Sequence, residues 1–441
     1  MASFFIFSCQ LAAALAHRPG SAGAGYWSGK VRLPSFNATY SMKDSTIFMV
    51  CNESGFHNVS EAMRFGWAQY DWSNNKKIWV NHHPMDDEKM LYQQAEMVRA
   101  ADPGVKIGVY RSAIKALPWM KVVREKLEDP NYSGWFVKFA DYKPGTNQSN
   151  SGKHYNVNPC SATKCSGLYH EQTQVPAWTN NRKHVVDGNC DSECDCGKLP
   201  CGNYVFNHSN ASFADWFVSD GGPIISNDTI LRNAETGIVG LYLDDRIYGT
   251  GYVTEASTYF KVDTGISDTE GKALVASFGA NMERLYDRIV EVGGFVWQMF
   301  WEPDSNGQAN GKSCAAVLGN ACKSHNPDFE QRPLLYGVGL GTNGTFDYKG
   351  AEQATINFML TRGPYAWIGY DWNGCYGDGV NNAKLSQGFH RSPLWDEDFG
   401  VPLGSCHNLG NGIFRRNWTK AAFVWDCSKE TGSRGSIVRN V

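Results

Sequence analysis

Ile238-Val239-Gly240-Leu241-Tyr242-Leu243-Asp244-Asp245 is an apolar run that ends abruptly in two carboxylates. Six residues of this kind, bounded by polar chain, suit a buried strand. A buried carboxylate is costly unless it has a partner or a task. The pair therefore reads as a strand-end site, with a helix cap or an ion pair with Arg246 as the plainer alternative. Outward from this run the pattern alternates. Upstream lie a strand at 203–206 and a helix at 211–218. Downstream lie a long helix at 270–292, with Leu274, Phe278, Met282, Leu285 and Ile289 on one face, then Gly293-Gly294 and a strand at 295–301.

The same rhythm extends over most of the chain. Thr46 to Cys51 is a short β-rich run, and 65–72 and 77–80 are strand-like. Asp86-Asp87-Glu88 opens a helix reaching Ala101, Asp102-Pro103-Gly104 stops it, and 106–110 is a strand. Residues 119–127 read as helix and 136–139 as extended. Beyond a loop holding Cys314 and Cys322, 350–362 is helical and 365–370 a strand. Alternating strands and helices of this kind give a parallel sheet, open or closed. No Gly-rich phosphate loop follows the first strand, which disfavours a nucleotide-binding fold and favours a (β/α)8 TIM-type barrel. Four segments are expected: a signal peptide over 1–16, an N-terminal segment over 17–44, the barrel over 45–393 with a Cys-rich insertion at about 141–201, and a small C-terminal β appendage over 394–441.

Composition bounds the setting. The chain has 441 residues with 41 basic against 44 acidic, so no charge excess points to nucleic acid. Of 13 cysteines, Cys9 falls in the leading apolar run and twelve remain, an even set that suits disulfides in an oxidising compartment. Sequons occur at Asn37, Asn52, Asn58, Asn131, Asn147, Asn207, Asn210, Asn227, Asn343 and Asn417, against about four expected by chance. Secretion and N-glycosylation follow as expectations. The leading run ends in Ala14-Leu15-Ala16 and is too short to span a bilayer, and no later stretch is long enough.

In a parallel barrel the chemistry collects at the C-terminal strand ends. Asp244, Asp245 and Glu302 are the catalytic candidates, since glycosidic hydrolysis needs two carboxyl groups. Asp71, Trp72, Tyr110, Trp297, Gln298, Trp301, Asp371 and Trp372 are candidates for holding a sugar, being strand-end acids and amides among aromatic residues. The spacing Cys190-x3-Cys194-x-Cys196-x4-Cys201 resembles a metal knuckle, but clustered cysteines of an oxidising compartment are read as disulfides. Neither a metal nor a cofactor is expected. Cys406 and Cys427 bracket two β-like runs, 414–418 and 421–426, and are placed to bridge them.

Several stretches together resemble a known family. Val205-Phe206-Asn207-His208-Ser209-Asn210, the helix ending Asp215-Trp216 and Gly240-Leu241-Tyr242-Leu243-Asp244-Asp245 are similar to the strand-helix-strand core of glycoside hydrolase-like TIM barrels, of the α-amylase and polygalactosaminidase kind. Ala116-Leu117-Pro118-Trp119, Trp297-Gln298, 362–367 and 414–418 look like motifs of secreted relatives in algae and other protists. The resemblance spans roughly 45–437. It implies a secreted barrel acting on a poly- or oligosaccharide, with Asp244 the strand-end acid, and it implies no second carboxylate. A glycan-binding or matrix glycoprotein without catalysis is the alternative. Neither reading fixes an oligomeric state.

Overall fold

The computed structural model describes residues 39–140, 167–171, 198–199, 202–244, 247–248, 252–253, 260–300, 313–322, 334–338, 348–370, 391–430 and 433–440. Its strands in chain order begin with β1 (Thr46–Val50), β2 (Trp67–Tyr70) and β3 (Lys106–Ser112). Next come three short strands, β4 (Lys115–Ala116), β5 (His170–Glu171) and β6 (Asn203–Val205), then β7 (Ile238–Asp244). A hairpin of β8 (Ile247–Tyr248) and β9 (Tyr252–Val253) precedes β10 (Phe295–Phe300), β11 (Leu334–Val338) and β12 (Ala366–Tyr370).

Seven of these are parallel neighbours in the order β1-β12-β11-β10-β7-β3-β2, and β1 pairs with β2, so the sheet closes on itself. The ring has seven strands among the described residues where eight were expected. The difference lies at β6. Residues 203–205 leave the ring and pair antiparallel with β4 and β5, so β3 bonds directly to β7 over Ile107–Ser112. Residues 136–139, expected to be a strand, form only isolated bridges, Phe136 with Phe206 and Lys138 with Leu168.

The lumen is identified by rings that meet across it. Trp67 of β2 touches Phe295 of β10 at 4.9 Å between centroids and Trp367 of β12 at 5.6 Å, although neither strand adjoins β2. Side chains alternate along a strand, so Gln69 shares the lumen face with Trp67. Gly108, its register partner, leaves room for it: a Cβ there would lie 1.8 Å from Gln69 Oε1. The same alternation places Tyr110 and Ser112 of β3, and Tyr242 and Asp244 of β7, on the lumen face toward the C-terminal ends.

Helices cover the outside. α1 (Asp87–Ala101) starts at Asp86, whose carboxylate accepts from the Lys89 N–H, and buries Leu91, Ala95 and Val98. α2 (Lys121–Glu128) and α3 (Ala211–Phe217) follow. α4 (Asp268–Glu291) opens with a capping box, the Ser267 hydroxyl and Glu270 carboxylate each bonding the other's backbone N–H. α5 (Cys314–Ala321) occupies what reads in sequence as loop, and α6 (Tyr348–Thr361) precedes β12. Residues 77–80, strand-like in sequence, belong instead to a helical turn, Lys76–Trp79, entered from Asn75 at φ 61°. The Trp79 indole N–H donates to the Asn74 carbonyl and fixes that turn.

β13 (His407–Gly410), β14 (Ile413–Asn417), β15 (Ala421–Asp426) and β16 (Gly435–Arg439) form an antiparallel four-stranded sheet. Its inner face buries Phe414, Trp418, Phe423 and Trp425. Two disulfides tie it to α5: Cys314 to Cys427 and Cys322 to Cys406. The expected Cys406–Cys427 bridge is thus corrected. Cys406 precedes β13 and Cys427 follows β15, which in the antiparallel order are opposite ends of the strands and two strands apart, so each pairs with a cysteine of the 314–322 segment rather than with the other. Among the described residues no helix is long and apolar enough to cross a membrane.

Candidate functional site

The mouth of the ring is built from the ends of β2, β3 and β7. Asp244 is the last residue of β7, half-buried, and registers with Ser112. Its carbonyl accepts from the Ala113 N–H at 3.0 Å, one step past that register. Below it, Tyr242 faces Tyr110 with ring centroids 6.1 Å apart. Trp297 of β10 registers with Tyr242 on the other side. Asp71 follows β2; its Oδ1 accepts from the Ser73 N–H at 2.8 Å and from the Ser73 hydroxyl, which holds the carboxylate over the strand end. Asp244, Tyr110 and Asp71 thus lie in or directly after three consecutive strands of the ring, β7, β3 and β2.

Other sequence candidates are placed differently. Trp72 is half-buried and engaged by neighbours: the Trp119 ring lies 5.0 Å away and the Lys76 ammonium 5.0 Å from its centroid. Gln298 registers with Leu334 of β11. Asp245, Trp301, Glu302, Asp371 and Trp372 lie outside the described residues, as do Asn37, Asn147 and Asn343. Of the remaining sequon residues, Asn58, Asn131, Asn227 and Asn417 are exposed, whereas Asn52, Asn207 and Asn210 are half-buried.

Sequence reasoning missed a buried ionic cluster beside the mouth. Arg111, fully buried near the end of β3, donates to the Tyr110 carbonyl at 3.0 Å and lies 3.6 Å from Glu88 at the start of α1. The other Glu88 oxygen accepts from the Val122 N–H at 2.9 Å, at the start of α2. Burial pushes the Glu88 carboxyl up to about 7, opposed by Arg111 and by that hydrogen bond. Burial also drives Asp87 well above the ordinary carboxylate range, with Arg111 opposing and Glu88 and Asp71 adding to the rise. In sequence, Asp87 and Glu88 look like ordinary first-turn acids of a helix. The signal available was Arg111 at the end of an apolar strand, where an unpaired cation is costly.

His208 is the other omission. It is buried after β6 and bonded to the Ala113 carbonyl at 2.8 Å. Burial lowers its pKa to about 4, with the Ala113 bond opposing, so the ring is neutral at pH 7. Among the described residues no group of three or more His, Cys, Asp or Glu is placed to hold a metal ion. The mouth therefore offers carboxylate, hydroxyl and aromatic groups, a set suited to proton transfer and to holding a hydroxyl-rich ligand.

No family model matches the chain, and no curated protein matches it. Among solved structures, the chain is similar to sucrose 6F-phosphate phosphorylase from Thermoanaerobacter thermosaccharolyticum (8% identity, 91% of this chain and 99% of that one, TM-score 0.43). It is also similar to an α-amylase from Geobacillus thermoleovorans complexed with acarbose (12% identity, 88% and 87%, TM-score 0.37). A third is the cyclic α-maltosyl-(1→6)-maltose hydrolase from Arthrobacter globiformis (13% identity, 87% and 91%, TM-score 0.36). Likenesses at this level define neither a family nor an activity for this chain.

Proposed function

We propose that this chain is a secreted glycoside hydrolase that cleaves O-glycosidic bonds in an extracellular polysaccharide, with Asp244 as one of its two working carboxyl groups. The supporting observation is the position of Asp244: the last residue of a ring strand, on the lumen face at the C-terminal end, above Tyr242 and Tyr110. In the reaction one carboxylic acid gives its proton to the leaving oxygen as the C–O bond breaks. A second carboxylate takes a proton from the water that adds to the sugar carbon, or attacks that carbon first. Glu302, two residues past β10, and Asp245 are the proposed partners, with Asp71, Trp297 and Asp371 toward the sugar. The signal peptide, the glycans and the domain limits at 44, 393 and 394 belong to the same proposal.

The test is release of reducing ends from a panel of cell-wall polysaccharides. Asp244→Asn is expected to keep the wild-type melting temperature and lose about 10²–10⁴-fold in turnover. A variant as active as wild type would overturn the assignment of Asp244. Binding to a glycan with no turnover by the wild type would replace hydrolysis with a glycan-binding role.

A further inference from the structure

We propose that His208 is a positioning residue that fixes the end of β3 and, through it, the backbone of Asp244. The inference rests on the reading of Asp244 given above and adds a mechanical support to it.

The departure of β6 from the ring makes the arrangement possible. Because β6 pairs with β4, it runs behind the turn that follows β3, and the Phe206 N–H donates to the Ile114 carbonyl at 2.9 Å. Two residues on, the His208 ring enters an apolar cage. Phe213, Phe217 and Phe278 stand near-perpendicular to it, with centroids 5.1, 4.8 and 5.0 Å away. Among the described residues the ring makes two polar contacts, and both are directional. The Asn281 side-chain nitrogen, from α4, lies 3.2 Å from His208 Nδ1 and 3.1 Å from the His208 carbonyl. A carbonyl only accepts, so this nitrogen is a donor and Nδ1 must accept from it. The ring proton is thereby on Nε2, and it is donated to the Ala113 carbonyl at 2.8 Å.

Ala113 is fully buried and carries the consequence. Its carbonyl is held by His208 and its own N–H by the Asp244 carbonyl. The β3–β7 register ends at Ser112 with Asp244, so the Ala113 bond is the last rung before the chain leaves the strand. Ser112 tightens the same turn, its hydroxyl accepting from the Lys115 N–H at 2.7 Å. A phenylalanine would fill the cage, yet would take the ring donor from the Ala113 carbonyl and the ring acceptor from the Asn281 amide, which would keep the residue-208 carbonyl. The choice of histidine is thus explained by the rung it holds, rather than by packing.

The test compares His208→Phe, His208→Gln and Phe414→Leu, the last a core truncation in the distant C-terminal sheet. In His208→Phe the Ala113 amide is expected to exchange with solvent at least about tenfold faster. Its kcat is expected to drop about 10- to 100-fold with KM little changed, the pattern of a displaced catalytic group. His208→Gln, which retains a donor, should recover part of both effects. Phe414→Leu should lose stability with kcat and Ala113 exchange unchanged. Wild-type exchange in His208→Phe would overturn the proposal, and so would an equal loss of kcat in Phe414→Leu. Turnover surviving in Asp244→Asn would instead remove the reading of Asp244, and amide exchange would still decide whether His208 holds the rung.

Discussion

Glu88 is held between a low-dielectric setting that disfavours its charge and two groups, Arg111 and the Val122 N–H, that favour it. The outcome is a carboxyl that changes charge near neutrality, which an exposed glutamate does not do. Its folded pKa of about 7 lies above its ordinary value of 4.5, so the folded state takes up a proton between those values. The resulting stabilisation is complete below about pH 4.5 and is lost as pH rises through 7. His57 and His208, lowered to about 4, act with the opposite sign between pH 6.5 and 4. A raw stability curve therefore mixes the two effects, and a difference is needed to separate them. Glu88→Gln keeps an acceptor for Val122 and does not titrate. The unfolding free energy of wild type minus that of the variant should rise from pH 8 to pH 5, by at most about 3 kcal/mol. A flat difference across that range in urea titrations would show that Glu88 is already neutral, or always charged, in the folded chain.

At the scale of elements, the ring depends on matched volumes across registers. Gly108 exists as glycine because Gln69 of β2 fills the space its side chain would take. Gln69 is fully buried, so it has little freedom to withdraw. Gly108→Ala is expected to cost about 1–3 kcal/mol of stability by overpacking. Gly108→Ala combined with Gln69→Ala should recover part of that loss, as denaturant midpoints would show. An innocuous single variant would place the lumen contact elsewhere. The same registers explain what the sequence could and could not convey. Apolar runs with turn signals marked β1, β3, β7, β10 and β12, and helical spacing marked α1, α4 and α6, because burial is written in local periodicity. β11 was missed because Leu-Leu-Tyr-Gly-Val is short, interrupted by glycine and without a helix signal beside it. The exit of β6 was invisible for another reason: strand partners are set by contacts across the fold, while 203–205 look the same in either sheet. Asp244 was legible because a carboxylate after a buried run violates an expectation, whereas His208 is chemically ordinary until Ala113 and Asn281 surround it.

At the scale of the molecule, the C-terminal sheet is joined to the rest by packing and by covalent bonds. α6 lies against it, with Gln353 exchanging two hydrogen bonds with Gly435 and the Trp418 indole donating to the Met359 carbonyl. Arg416 reaches the Arg362 carbonyl at 2.6 Å, just ahead of β12. The disulfides Cys314–Cys427 and Cys322–Cys406 span 113 and 84 residues of sequence. In the chain-entropy account, either alone would restrain the unfolded chain by about 4–5 kcal/mol. Together they are partly redundant. With one bridge in place, the second closes only the path through 314–322 and 406–427, about 29 residues, worth about 3.5 kcal/mol. Replacing Cys322 and Cys406 by serine should therefore cost less than that first-bridge value, as should replacing Cys314 and Cys427. Removing all four should cost more than the two losses added, by about 1 kcal/mol, in unfolding followed by tryptophan fluorescence. Strict additivity would show that the two bridges restrain the chain independently, and no loss on removing either bridge or both would mean that the α6 contacts alone set the stability of the sheet. Peptide mapping of the unreduced protein checks the premise first, since a fragment joining Cys406 to Cys427 would contradict both bridges.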